Sequence, residues 1–210
     1  MERLVCVIIG YVCGLFQTSY IYGKVKHVDI REHGSGNAGT TNALRTLGFK
    51  AGIITFLGDC FKAVVAAFIV RKLFQSSHSD IMPLLVLYAG FGTVLGHNFP
   101  FYLGFKGGKG IAATAGMILA FNGTMAIIGF FTFVIVVAIT RYVSLGSLLL
   151  MTGFFIEIVI LGSQGVFPLA APYLYELYVV SFLLTALAFY KHRQNIVRLI
   201  KGTESKLGKK

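Results

Sequence analysis

The chain has 210 residues, 56% of them hydrophobic and only 13% charged, with a mean hydropathy of +0.77. A water-soluble domain of this size could not cover so much apolar side chain with polar surface, so the composition excludes a soluble protein and places the chain in lipid. The formal charge of +11 would suggest nucleic acid for a soluble chain, but here the lysines and arginines collect in loops and tail, as the positive-inside bias of membrane proteins requires, and no nucleic acid partner is expected.

A helical span needs about 20 apolar residues, so six or seven spans use up the chain, and residues 1–210 read as a single membrane-embedded domain. Apolar runs fall at 3–22, 51–71, 82–104, 111–121, 123–139, 145–162 and 174–190. They predict an all-α integral membrane bundle of about seven transmembrane helices. The first run lacks a small-residue cleavage pattern and continues to Tyr22, so it is expected to be a retained span rather than a signal peptide. The fourth is too short to cross an ordinary bilayer without thinning it or being extended by Asn122 and Gly123. With the tail in the cytoplasm, segments 23–50, 105–110, 140–144 and 191–210 face inward and carry 15 of the 19 lysines and arginines. That asymmetry predicts an outside N-terminus and a cytoplasmic C-terminus.

Cys6, Cys13 and Cys60 lie in apolar runs without metal-ligand spacing and read as packing residues. Asp59 and Lys62 stand at i, i+3 in the second run, on one helical face, and must turn into the bundle and pair. A structural ion pair is the plainer reading and a catalytic one the alternative. Glu157, in the sixth run, has no local partner and reads as an interior polar residue.

Between the third and fourth runs lies Phe105-Lys106-Gly107-Gly108-Lys109-Gly110, where a plain connector needs neither three glycines nor two lysines. Glycine lacks a Cβ, so successive N–H groups can turn toward an oxyanion while a lysine supplies charge, and a helix from Ile111 adds its positive end. The segment reads as an anion cradle. It is not a Walker loop, because the upstream glycine and the Ser or Thr after Gly-Lys are missing, so a phosphate group without a purine pocket fits better. His97, just upstream, either bonds the backbone where Pro100 breaks the helix or acts in catalysis.

The first inward loop, Asp29 to Arg45, gathers hydroxyls, amides, glycines and two arginines. Ser35, Thr40 and Thr41 can donate to phosphate oxygens, Asn37 and Asn42 can orient a polyol, and Arg45 can grip an oxyanion in bidentate fashion. The alternative is a polar turn into a helix capped by Thr41 or Asn42. Arg141 with Ser144 and Ser147 adds a cation and two hydroxyls at a helix boundary, equally readable as a snorkelling arginine beside capping serines. In the tail, His192, Asn195 and Arg198 recur at i, i+3 to form a polar stripe below the last run. A tail that only bound anionic lipid would not need Asn195 or Glu204.

Four stretches, DIREHGSGNAGTTNALRTLG, GHNFPFYLGFKGGKGIA, RYVSLGSL and KHRQNIVRLIKGTE, occur in an order and spacing that resembles the acyl-phosphate:glycerol-3-phosphate acyltransferases of bacterial phospholipid synthesis (PlsY type), over nearly the whole chain. Two departures are visible: Ala38 stands for the family's usual proline and Thr40 for its alanine. The resemblance implies transfer of a fatty acyl group from acyl phosphate to the 1-hydroxyl of sn-glycerol 3-phosphate, releasing phosphate and 1-acylglycerol 3-phosphate. Motif loops 23–50, 96–110, 140–147 and 191–204 are expected on the cytoplasmic side of a multi-pass protein of the bacterial cell membrane, with no cofactor or metal, and the chain is expected to be monomeric.

By matching positions, the resemblance implies catalytic roles for Ser35, Arg45, His192 and Asn195, glycerol 3-phosphate binding by the Gly107–Gly110 loop, and a structural role for Glu204. Gly36, Asn37, Thr41, Asn42, Lys106, Gly107, Gly108, Lys109, Gly110, Arg141 and Ser144 are expected to hold the substrates and their phosphates. Acyl phosphate is a mixed anhydride with a good leaving group, so direct attack by the substrate hydroxyl is expected, its proton going to the substrate's own phosphate or to His192. No histidine has an aspartate five residues on, which makes acyl-CoA or acyl carrier protein a poorer donor. A phosphate transporter is the rival from another class, but no internal repeat is visible. An alcohol phosphotransferase would need paired aspartates in D-x-x-D spacing, which the chain lacks.

Overall fold

The computed structural model describes residues 1–208; Lys209 and Lys210, counted above with the cytoplasmic tail, lie outside the described residues. The chain is all-helical and divides into two compact units, Met1–Phe121 and Asn122–Lys210. The first unit holds α1 (Glu2–Gly14), α2 (Thr18–Val25), α3 (Thr40–Leu47), α4 (Phe49–Phe74), α5 (Met82–Asn98) and α6 (Ile111–Phe121). The second holds α7 (Gly123–Thr140), α8 (Val143–Ser163), α9 (Ala171–Lys191) and α10 (Arg193–Ile200).

Among the described residues six stretches are long and apolar enough to cross a membrane: Glu2–Val25, Phe49–Phe74, Ser79–Leu103, Gly123–Thr140, Val143–Ser163 and Ala171–Lys191. The expected seventh is α6, whose 11 residues reach only about 16 Å against a hydrocarbon core of about 30 Å. It is not extended by Asn122 and Gly123. Asn122 instead caps α7, its side chain accepting from Met125 N at 3.1 Å, and Gly123 opens that helix.

In the first unit α1 and α5 approach through facing Gly-x3-Gly pairs. A Cβ at Gly10 would strike the Ala89 carbonyl and one at Gly14 that of Thr93, while Cβ atoms at Gly92 and Gly96 would strike the carbonyls of Val7 and Tyr11. Apolar side chains gain little by leaving lipid for one another, so close backbone contact and dispersion hold such a pair together. Gly116 of α6 lies in the same way against the Cys60 carbonyl of α4, and Cys60 Sγ lies 3.0 Å from the Ala112 carbonyl.

The first apolar run, continuous in sequence, is broken between Gly14 and Thr18. Backbone groups freed inside a membrane require internal partners. Lys62 Nζ donates to the carbonyls of Phe16 (2.7 Å) and Gly14 (3.3 Å), and Gln17 Nε2 donates to Gly14, Gly96 and His97. Tyr102 hydroxyl donates to Leu15 O at 2.7 Å.

The second unit pairs α7 with α8 and α8 with α9. Gly146 receives the side chains of Val137 and Phe133, Gly162 faces the hydroxyl edge of Tyr178, and Thr185 Oγ1 donates to the Met151 carbonyl at 3.3 Å. α7 buries only 11% of its apolar window, leaving Ile127, Phe130, Phe131, Ile135 and Ile139 exposed as a lipid-facing surface.

Candidate active site

The loop before α3 is shaped by two side chains. Asp29 accepts from Arg31 N at 3.0 Å and from its guanidinium at 3.0 and 2.7 Å, closing a short helical turn at Ile30–Glu32. The hydrogen bond from the Arg31 side chain outweighs the opposing effect of burial and holds the Asp29 carboxyl down at about 2. Asn42, buried in the third position of α3, accepts from Ser35 N at 2.9 Å and donates to the carbonyls of Ile30 and His33 at 2.9 Å. Its amide is therefore committed to the loop backbone. Gly34 and Gly36 flank Ser35 at φ +60° and +69°, the left-handed region open to glycine, and the bend leaves Ser35 exposed.

Neither Thr41 nor Asn42 caps α3; Gly39 occupies that position in extended conformation. Thr41 and Arg45 are one turn apart and share a helical face, with Arg45 exposed in the last turn. Thr40 places a hydroxyl oxygen out of solvent with no hydrogen-bond partner among the described residues.

The glycine-lysine loop is anchored to the end of α5. Gly107 N donates to Asn98 O and Gly108 N to His97 O, both at 3.2 Å, and Gly110, at φ +82°, lets the chain turn into α6. Gly108 is where the two motif loops meet: a Cβ there would run into His97 Nε2 and stand 2.6 Å from the Ala38 carbonyl. Lys106 is exposed and Lys109 half-buried. Beneath the loop, His97 Nδ1 lies 2.8 Å from Lys62 Nζ, which also donates to Asp59 Oδ1 at 2.9 Å. The expected Asp59 and Lys62 pair is thus present, at 1% and 5% exposure, and His97 joins it, which the sequence did not signal.

In the second unit Glu204 draws the tail against α8 and α10. One carboxylate oxygen accepts from Ser144 Oγ at 2.8 Å and Asn195 Nδ2 at 2.7 Å, and the other from Arg198 Nε at 2.7 Å. Burial pulls its pKa upward, but hydrogen bonds from Asn195, Arg198 and Ser144 outweigh that and hold it below the ordinary value. Arg141 ends α7 at φ +63°, donates through Nε to Leu207 O at 3.0 Å, and accepts from Leu207 N at 2.7 Å. His192, buried at the α9–α10 junction, has Nδ1 2.8 Å from the Ala188 carbonyl. A carbonyl can only accept, so Nδ1 carries the hydrogen and the neutral ring keeps its lone pair on Nε2. Among the described residues no three His, Cys, Asp or Glu side chains gather to hold a metal ion.

The family model described as glycerol-3-phosphate acyltransferase matches residues 4–202. A glycerol-3-phosphate acyltransferase of Alkaliphilus metalliredigens is 42% identical over 100% of this chain and 98% of its own length. One of Clostridioides difficile is 44% identical over 99% and 96%. The crystal structure of PlsY (YgiH), an integral membrane glycerol 3-phosphate acyltransferase, in its glycerol 3-phosphate form matches with a TM-score of 0.83 at 33% identity, over 99% of this chain and 96% of that one. Its lysophosphatidic acid form matches with a TM-score of 0.80. Likeness this long, in sequence and in fold, takes in both compact units and all four motif loops: the chain belongs to the glycerol-3-phosphate acyltransferase family, a membrane enzyme of the PlsY type.

Proposed function

We propose that this membrane acyltransferase takes its acyl group from acyl phosphate and places it on the 1-hydroxyl of sn-glycerol 3-phosphate, giving 1-acylglycerol 3-phosphate and inorganic phosphate. The observation that carries the reading is the meeting of the two motif loops at Gly108, where a hydroxyl-rich loop and a glycine-lysine loop are joined without side-chain bulk. Both substrates carry phosphate, and PlsY has been crystallised in a glycerol 3-phosphate form.

In this reading the hydroxyl oxygen of glycerol 3-phosphate attacks the acyl carbonyl carbon, and the bond from that carbon to the phosphate oxygen breaks. The proton passes to the substrate's own phosphate or to His192 Nε2, the lone-pair nitrogen. Ser35 and Arg45 stabilise the developing oxyanion and the departing phosphate, and Lys106 and Lys109 hold glycerol 3-phosphate beside the Gly107–Gly110 turn, whose Gly107 and Gly108 N–H groups are already given to the carbonyls of Asn98 and His97. Gly36, Asn37 and Thr41 extend the first loop's donors and acceptors, while Asn42 shapes that loop. Arg141, Ser144 and Asn195 support activity from the second unit, with Glu204 as their structural partner. No acyl-enzyme is required, because the leaving group is already good.

The placement of 15 of the 19 lysines and arginines in segments 23–50, 105–110, 140–144 and 191–210 supports an outside N-terminus and a cytoplasmic C-terminus, with the motif loops cytoplasmic. Four helices separate the Lys106 loop from the tail, so the reading requires short α6 to cross. Single cysteines at Lys106 and Ser205, in a cysteine-free background, should label from one side of the membrane, and one at Ser77 from the other. The decisive assay supplies purified enzyme with palmitoyl phosphate and labelled glycerol 3-phosphate, without CoA and with a metal chelator, and scores lysophosphatidate. Absence of product, alongside uptake of the label into proteoliposomes, would replace this reading with a transporter.

A further inference from the structure

Lys62 is the most enclosed cation in the first unit, and its surroundings decide the state of its neighbour. An ammonium group has three donors and no acceptor, so a polar atom held close to it turns a lone pair toward it, and with four such atoms one hydrogen is shared. Its contacts are Phe16 O at 2.7 Å, Gly14 O at 3.3 Å, Asp59 Oδ1 at 2.9 Å and His97 Nδ1 at 2.8 Å. His97 Nδ1 therefore holds a lone pair, and the hydrogen of the neutral ring is on Nε2. Thr18 Oγ1 donates to Asp59 Oδ1 at 3.1 Å, fixing the carboxylate that compensates the ammonium.

Nε2 is the ring atom against the glycine-lysine loop, since a Cβ at Gly108 would run into it and stand 2.9 Å from Cε1. The His97 carbonyl also holds that loop, accepting from Gly108 N at 3.2 Å and from Gln17 Nε2 at 3.1 Å. A buried ion pair adds little stability compared with apolar side chains of like volume, and although Lys62 also satisfies the carbonyls freed between α1 and α2, neither role requires His97 as a further partner. From this geometry we infer that Lys62 and Asp59 are positioning residues for acyl transfer: they fix the Nε2–H tautomer of His97, and His97 sets the placement of the 107–110 loop. The functional half rests on reading that loop as the glycerol 3-phosphate cradle; the tautomeric half does not.

Lys62→Met alone would strand the Asp59 carboxylate inside the bundle, so the variant to measure is Asp59→Asn with Lys62→Met. Histidine labelled with nitrogen-15 reports the tautomer by NMR in detergent, with His97→Gln assigning the His97 signal. The wild type should show hydrogen on Nε2 alone, and the double variant a mixture. In the double variant the KM for glycerol 3-phosphate should rise about tenfold, while that for palmitoyl phosphate stays within about twofold. A purely structural pair would leave the two KM values moving together. Hydrogen on Nδ1 in the wild type, or a wild-type KM for glycerol 3-phosphate in the double variant, would overturn the inference. Should the wild type itself fail to acylate glycerol 3-phosphate, the functional reading falls, and the NMR result alone decides whether Lys62 governs the ring.

Discussion

Replacing Gly108 by alanine tests the junction of the two motif loops with a single methyl group. Gly108 is not in the left-handed region, so the substitution carries no conformational strain and its effect is steric. The new Cβ would meet His97 Nε2 and stand 2.6 Å from Ala38 O and 2.9 Å from His97 Cε1, where ordinary contact begins at 3.4 Å. Clearing the carbonyl therefore needs a displacement of about 0.8 Å, the difference between 3.4 and 2.6 Å. Overpacking of this kind costs about 1–3 kcal/mol, and a misplacement near 1 Å in a reacting site lowers turnover by up to about 10²-fold. Gly108→Ala should lower kcat/KM for glycerol 3-phosphate by about 10- to 100-fold in the palmitoyl phosphate assay. Its melting temperature should fall by about 2–4 °C per kcal/mol of stability lost. Gly123→Ala is the control, because nothing lies within 4 Å of its Cβ position and its φ is not positive; it should change neither quantity. A Gly108→Ala enzyme with wild-type kcat/KM and melting temperature would refute the claim that the loops meet there without room for a side chain.

Asn42→Ala removes three hydrogen bonds from the first loop and should cost about 2–3 kcal/mol in chemical unfolding; it should also raise proteolysis between His33 and Asn37, which Ser35→Ala should not. Thr40→Ala removes a hydroxyl without a partner and should raise stability by about 1 kcal/mol, read as a higher melting temperature at unchanged activity. Gly92→Leu forces a side chain into the Val7 carbonyl and should destabilise by about 3 kcal/mol or more, measured by unfolding in mixed detergent. Because the Glu204 pKa is lowered on folding, its contribution is complete above the ordinary value of 4.5 and is lost as pH falls through the lowered one; hydrogen exchange should show the tail segment from Gly202 losing protection in that acidic window. Glu204→Gln should abolish that pH dependence, with the partly exposed Arg198 contact contributing little to the total.

The membrane class, the helix positions and the motif loops were legible in the order of residues, because apolar runs of fixed length and glycine-rich breaks between them are local properties. Asp59 and Lys62 announced a pair for the same reason: i, i+3 spacing alone puts them on one face. Other features depended on which helices touch. The break between Gly14 and Thr18 is invisible in a continuous apolar run, since the carbonyls it frees are satisfied by Lys62, 46 and 48 positions away. Asn42 looked like a ligand-binding amide until the fold folded its loop back onto it. The acidic partner of Ser144 and Asn195 is Glu204, 60 positions from the first and nine from the second, and its choice required the tail to return to α8. Composition and periodicity determine where a chain becomes helical and that it enters lipid. Which buried donor meets which acceptor is decided by packing, because glycines on separate helices set how closely those helices approach.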